Sequence, residues 1–216
     1  MISNIIEALE EITKKHYVSF NTNLTSPKIK EFCRKIDPDK VIEIHASLHI
    51  KELERLNLMD IFIRNFRLCK EKGLKIIAVE VAYPKFMNEA DKYREFFKKK
   101  GINLIFAGFH GMYQGREYPA AYTKHELEVF GIKNNRDAKL SHRGEVCNAG
   151  YNAAMVLESG DVTLCVSQAE KLGHIYRGIQ FRDHLERCQV DYCPCPLHIF
   201  DPYLYKKALK ETAKKS

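Results

Sequence analysis

VIEIHASLH (41–49) alternates apolar and polar residues at every step, with Ile42, Ile44, Ala46 and Leu48 set against Glu43, His45, Ser47 and His49. Period-2 alternation is the mark of a strand with one buried face. The neighbouring segments supply its partners. YVSFNTNL (17–24) reads as a preceding strand, KIIAVEVA (75–82) as a following one that stops at Tyr83-Pro84, and INLIFAGF (102–109) as a fourth. Helical patterns separate them. One spans 27–35, opened by Pro27 and closed before Asp37-Pro38. A long one covers 50–72, with Leu53, Leu56, Met59, Phe62, Phe66 and Cys69 and a stop at Gly73, and another covers 88–100, ending at Gly101. A helix capped by Ser3, carrying Ile5, Ile6, Leu9 and Ile12, precedes the first strand. Thr123-x-x-Glu126 is a capping box for a short helix that runs to Gly131. Strands joined by crossovers of helical length must run parallel.

Parallel strands covered by helices on both sides normally read as continuous apolar runs. Here one face is polar. In 18–24, Val18, Phe20, Thr22 and Leu24 alternate with Ser19, Asn21 and Asn23, and in 75–82, Ile77, Val79 and Val81 oppose Ala78, Glu80 and Ala82. Helices pack on the apolar face, so the polar face is expected to line a lumen or ligand site.

With 216 residues and 45% hydrophobic content, the chain can build a good-sized core. No apolar run approaches the ~20 residues that cross a bilayer, and MISNIIEALEEITKKH lacks the basic leader of a signal peptide. The expectation is therefore a cytoplasmic protein with no membrane partner. The formal charge of +7 comes from scattered lysines and the terminal KKALKETAKKS. With no recognition motif, this reads as a solvated surface rather than a nucleic-acid interface.

From about residue 136 the texture changes. NNRDAKLSHRGE is polar and linker-like, and AAMVLESGDVTLC folds back through Ser159-Gly160-Asp161 as a hairpin. Residues 178–187 read as a short helix. Cys147 is followed by twelve residues, Gly160, four residues and Cys165, and after 22 more come Cys188, Cys193 and Cys195. In a reducing compartment such clustered thiols bind metal or a cluster more often than they form disulfides. Zinc is one occupant to weigh, although the chain contains no CxxC knuckle. Inert burial suits Cys33 and Cys69, which sit among apolar neighbours in helical segments, but not the loop pair Cys193 and Cys195. His110, His125, His142, His174, His184 and His198 form no ligand spacing, and each reads as solvated or as a local hydrogen-bond partner.

The run C-N-A-G-YNAAMVLES-G-DVTL-C, continued by LGHI (172–175) and CQVDYCPC, resembles the SPASM/twitch domain of radical SAM enzymes. FNTNL (20–24) resembles the "TNG" strand of their partial barrel, with Leu24 in place of glycine, and EIHASLH (43–49) resembles the strand after it. The resemblance covers roughly residues 15–200. It implies an α/β fold: an incomplete (β/α) radical SAM-type partial barrel of about four parallel strands over residues 1–135, a small cysteine-rich α+β iron–sulfur domain over 136–205, and a basic helical tail over 206–216. It further implies one auxiliary 4Fe–4S cluster on Cys147, Cys165 and two of Cys188, Cys193 and Cys195. Asn23, Ser47 and His49 would face S-adenosylmethionine or substrate, with Glu80 a weaker candidate.

One departure is large. Radical SAM enzymes hold their catalytic cluster on a CxxxCxxC loop followed by a "GGE" strand, and these 216 residues contain neither. Cys33 and Cys69 cannot replace that triad. The expectation is the C-terminal part of such an enzyme, binding S-adenosylmethionine only when completed by an N-terminal radical SAM fragment carrying CxxxCxxC, and acting on a peptide or small-molecule substrate. A non-catalytic iron–sulfur or electron-transfer protein of the same descent and a structural zinc protein are the alternatives.

Overall fold

A computed structural model describes residues 4–132, 143–144, 146–165 and 167–190. The chain divides into two compact units, Met1–Arg136 and Asp137–Ser216. Most of the linker (134–142 and Glu145), Ser3, Cys193, Cys195 and the basic tail named above lie outside the described residues.

The first unit is built on a four-stranded sheet in chain order: β1 (Val18–Thr22), β2 (Val41–Ser47), β3 (Ile76–Ala82) and β4 (Leu104–Gly108). All three pairings are parallel, as the helical crossovers require. The helices are α1 (Ile5–Thr13), α2 (Ile29–Lys35), α3 (Ile50–Arg55), α4 (Met59–Glu71), α5 (Ala90–Lys99) and α6 (Lys124–Phe130). Their apolar sides meet one face of the sheet in a core that includes Leu24, Phe32, Ile44, Leu48, Phe62, Phe66, Phe97 and Ile102. Each such side chain contributes roughly 1.5–3 kcal/mol by leaving water.

Register fixes which residues share that core face. Phe20 pairs with Ile44, Ile44 with Ile76, Ala78 with Leu104, and Glu80 with Phe106. On β1 the half-buried residues, and on β2 the buried ones, are those the alternation predicts, except at the start of β2. There a register shift opposite Val18/Ser19 buries Val41 instead of Ile42. On β3 the expected faces are reversed. Ile76, Ala78, Glu80 and Ala82 are buried, while Ile77, Val79 and Val81 stand on the opposite, half-exposed face. Alanines suit the helix-covered face because they let helices approach closely. The buried carboxylate of Glu80 is satisfied by the backbone N–H of Ile50 at 2.7 Å and of Val81 at 2.8 Å. Hydrophobicity alone misassigns this strand because two small residues and a fully bonded acid take the core side.

Three further differences have local causes. The helix expected over 50–72 is two helices, because Asn57 takes a left-handed φ of 53° and Leu58 N–H reaches back to the Leu53 carbonyl. Asparagine tolerates that conformation better than most residues. The segment before 90 is a tight 3-10 turn (Pro84–Glu89) rather than α-helix. A hairpin with no counterpart in the sequence reading, β5 (Gly111–Tyr113) with β6 (Arg116–Tyr118), turns on Gln114 and Gly115, both at positive φ. That pairing of positive φ values favours a tight two-residue turn.

Two short sheets make up the described part of the second unit. β8 (Met155–Val156), β9 (Asp161–Cys165), β10 (Gln168–His174) and β11 (Gly178–Ile179) form an antiparallel sheet in the order β11-β10-β9-β8, and β7 (Val146–Cys147) pairs with β12 (Glu186–Arg187). The 155–165 hairpin is present as expected, but residues 178–187 are not helical. Ile179 pairs with Gly173, where the Gly178 carbonyl would lie 2.2 Å from any added Cβ. Arg182 bridges Glu186 and Glu170, and its N–H bonds the Gly150 carbonyl at 2.7 Å. Strand pairing and the ion pair to Glu170, outside the segment, outweigh its weak helical period. No described helix is long and apolar enough to cross a membrane.

Candidate functional site

In the first unit, a cavity of about 430 Å³ opens just past the carboxyl ends of β2, β3 and β4. His49 and Lys51 follow β2, Tyr83 and Phe86 follow β3, and Phe109 follows β4. Ligands of open parallel sheets bind at this end because the strands deliver loops and helix starts there. The walls are aromatic, with Tyr83 edge-on to Phe86 (5.7 Å between centroids) and to Phe109 (5.0 Å). Tyr122 ties the wall down, its hydroxyl donating to the Ala82 carbonyl and accepting from Phe109 N–H at 2.9 Å.

The rim carries fixed charge. Lys51 donates to Glu89 at 2.7 Å and lies 5.3 Å from the Tyr93 ring centre. Hydrogen bonding to Glu89, then to Tyr93, holds its ammonium well above the usual lysine range, so it stays charged. Glu89 is lowered in turn, first by Lys51 and then by Tyr93. Arg55 is clasped by Glu52, its Nε donating at 2.9 Å. An apolar-walled cleft edged by two ion pairs, Lys51–Glu89 and Arg55–Glu52, suits a ligand with an apolar body and polar ends.

The three candidate wall residues are distributed unevenly. His49 lines this cavity and has a left-handed φ of 47°. Ser47 ends β2, half-buried, on the face away from the helices. Asn23 is exposed just beyond β1, where its Oδ1 accepts from Thr25 N–H at 3.4 Å. Glu80 borders the cavity, yet both its oxygens are engaged by backbone donors. The residues missed by sequence reading are Lys51, Tyr83, Phe86 and Phe109, whose shared position after successive strands was the available signal. On the sheet face away from the core, His45 lies 3.1 Å from Glu43, and Lys75 lies 3.5 Å from the same carboxylate.

Leu24, standing where the resembled motif has glycine, has φ 59° and is fully buried. Its N–H donates to Thr22 Oγ1 at 3.1 Å, and its carbonyl accepts from Asn65 Nδ2 at 2.8 Å. The left-handed geometry that favours glycine is retained, held by these bonds and by core packing around the leucine side chain.

In the second unit, Cys147 and Cys165 touch one small core with Ala149, Val162, Leu164 and Leu172. Ala149 N–H lies 3.5 Å from Cys147 Sγ. Glu186 pairs with Cys147, and the Cys188 carbonyl accepts from Gly144 N–H at 2.8 Å, so Cys188 continues the strand beside Cys147. Gly160 has φ 86°, and an added Cβ would lie 2.8 Å from His174 Nε2. The His174 ring is locked. Its Nδ1 accepts from Tyr176 N–H at 3.1 Å, so Nε2 carries the proton and donates to the Ser159 carbonyl at 3.2 Å. Among the described residues no three His, Cys, Asp or Glu side chains are grouped to hold a metal. Cys193 and Cys195 lie outside them.

No protein-family model matches the chain, and no curated protein matches it. Solved structures do. Hexahistidine-tagged anSMEcpe with bound AdoMet superposes with a TM-score of 0.52 at 20% identity, covering 80% of this chain and 57% of that one. Native anSMEcpe with AdoMet and the Kp18Cys peptide gives 0.51 at 20%, covering 80% and 60%. With the Cp18Cys peptide the values are 0.51 and 19%, with the same coverage. The likeness is one of fold. What this chain and those structures share is an α/β architecture, here a four-stranded parallel sheet followed by a cysteine-bearing unit. This chain spans about three-fifths of the length of those structures.

Proposed function

We propose that these residues form the substrate-holding and auxiliary-cluster part of a radical SAM/SPASM-type enzyme that modifies a peptide. The reading is carried by one observation. A four-stranded parallel sheet with a cleft at its carboxyl end is followed, in the same chain, by a unit in which Cys147 on β7 and Cys165 on β9 border one small core and Cys188 follows β12, the partner strand of β7. A 4Fe–4S cluster needs four thiolates. Cys147 and Cys165 would supply two, and two of Cys188, Cys193 and Cys195 the others.

The second unit supports this physically. Its described core is only Ala149, Val162, Leu164, Cys165 and Leu172, while Tyr176, Val156 and Phe181 remain exposed. Units with so little buried apolar surface usually need a metal, disulfide or partner to hold them. The N–H directed at Cys147 Sγ suits a ligating thiolate, since hydrogen bonds to sulfur stabilise its negative charge. Once bound, the cluster would supply an electron acceptor or an iron site.

S-adenosylmethionine would occupy the region of Asn23, Ser47 and His49, with the aromatic walls excluding water. The CxxxCxxC triad would come from an N-terminal radical SAM fragment or another segment of the same protein. The second reading is a non-catalytic iron–sulfur or electron-transfer protein of the same descent, supported by the same cysteine-bearing unit.

Anaerobic reconstitution with iron and sulfide tests the cluster. About four irons per chain are expected, lost in Cys147→Ser and Cys165→Ser variants. A colourless, folded, zinc-loaded protein would refute both readings. Adding S-adenosylmethionine, reductant and a CxxxCxxC fragment should then yield 5′-deoxyadenosine. An iron-loaded protein that never yields it would leave only the electron-transfer reading.

A further inference from the structure

Cys33 and Cys69 read in the sequence as separate core residues, but the fold brings them together. Cys33 lies on α2 and Cys69 on α4, and their Sγ atoms are 3.6 Å apart, although 36 residues separate them in sequence. The two helices pack side by side. Neither thiol belongs to the cysteine set of the second unit, and both are reduced and buried. Two inert core cysteines have no need to meet. A bonded S–S distance of ~2.05 Å requires an approach of about 1.5 Å, within reach of side-chain rotation plus a small helix shift.

We propose that Cys33 and Cys69 form a reversible disulfide, a redox latch tying α2 to α4. The two thiols are not equivalent. Either sulfur can donate in this contact, and hydrogen bonding with Cys69, assisted by the charge of Lys72, lowers the Cys33 thiol against the effect of burial. Cys69 is pushed far up, first by the same bond and then by burial. Cys33, on the shorter helix and 6% exposed where Cys69 is 0%, is the sulfur an oxidant reaches first, with Cys69 the resolving one.

A peroxide serves as oxidant because it is small. The Cys33 thiolate attacks one peroxide oxygen, the O–O bond breaks, and hydroxide leaves and takes up a proton as water. The resulting Cys33 sulfenic acid is attacked by Cys69, the S–O bond breaks, and a second water departs. In sum, two thiols and one hydrogen peroxide give one disulfide and two waters. Access comes through α2. This helix has seven residues and no side-chain N-cap, so its opening costs less than that of the core around α4.

The closed loop of 36 residues predicts an unfolding equilibrium shifted by roughly several-hundred-fold toward the folded state. The experiment treats the full chain with hydrogen peroxide under native conditions, blocks free thiols and maps non-reduced peptides by mass spectrometry. A Cys33–Cys69 linked peptide is expected, removed by dithiothreitol and absent in Cys33→Ser. Oxidised wild type should unfold at higher urea than reduced, while Cys33→Ser should show no such difference. Three results would each overturn the latch: a linked peptide only after denaturation; a folded protein whose Cys33 and Cys69 stay free while other thiols oxidise; or Cys33 over-oxidised with Cys69 free. Because the peptides identify the sulfurs involved, oxidation of Cys147, Cys165 or Cys188 cannot be mistaken for it.

Discussion

Replacing Glu80 with alanine separates a structural acid from a ligand-facing one. Glu80 is 4% exposed, and its carboxylate takes the backbone N–H groups of Ile50 and Val81. Alanine removes both acceptors from the first turn of α3 and the end of β3. A buried donor left without a partner costs ~1–3 kcal/mol, and some of that loss is offset because the buried charge also disappears. The expected destabilisation is about 3 kcal/mol, more than a hundredfold in the unfolding equilibrium at ~1.4 kcal/mol per decade. Glutamine keeps one acceptor but turns an amide N–H₂ toward a backbone donor, so about half that loss is expected. Among the described residues every α-helix lies in the first unit, so helical circular dichroism in urea reports that unit. At ~2 kcal/mol per molar urea, Glu80→Ala should move the midpoint down by about 1.5 M, and Glu80→Gln by about half as much. An unchanged midpoint and slope, with S-adenosylmethionine or peptide binding lost instead, would refute the structural role and make Glu80 a wall residue.

Other substitutions test other elements. Gly160→Ala places a methyl against His174 in a left-handed backbone and should cost about 2–3 kcal/mol. Amide exchange in β9 and β10 should speed accordingly, and the effect should shrink in a His174→Ala background if the ring contact is the cause. Leu24→Gly relieves the left-handed strain, worth about 1 kcal/mol, but empties a fully buried site. Net destabilisation of ~1–3 kcal/mol is expected, and increased stability would show that the leucine packs poorly. At the α6 cap, burial raises the Glu126 carboxyl, but bonds from Thr123, backbone first and then side chain, outweigh burial and lower it overall. A lowered folded-state value means that this contribution is present above the ordinary glutamate range. It is lost as pH falls through the lowered value. Thr123→Ala should cost about 1 kcal/mol at neutral pH and flatten the acid limb of a stability–pH curve, and an unchanged acid limb would count against the capping-box account.

The order of elements was legible because it rests on local rules. Strand alternation, the Gly73 and Gly101 stops and the Thr123–Glu126 box all act within a few residues, and the sheet formed in chain order. The cysteine spacing likewise marked Cys147, Gly160 and Cys165 as a unit, and the structure gives the physical reason for that glycine. Where nonlocal packing competes, reading by pattern failed. Glu80 and two alanines took the helix-covered face of β3, Asn57 split a helix whose apolar period continued, and strand edges captured 178–187. By itself the sequence determined the parallel α/β class and the position of the thiol-rich segment, because periodicity and spacing are one-dimensional properties. Only the tertiary structure decided the aromatic cleft after β2, β3 and β4 and the meeting of Cys33 with Cys69. Both join residues dozens of positions apart, and such distances close only when helices pack on a sheet.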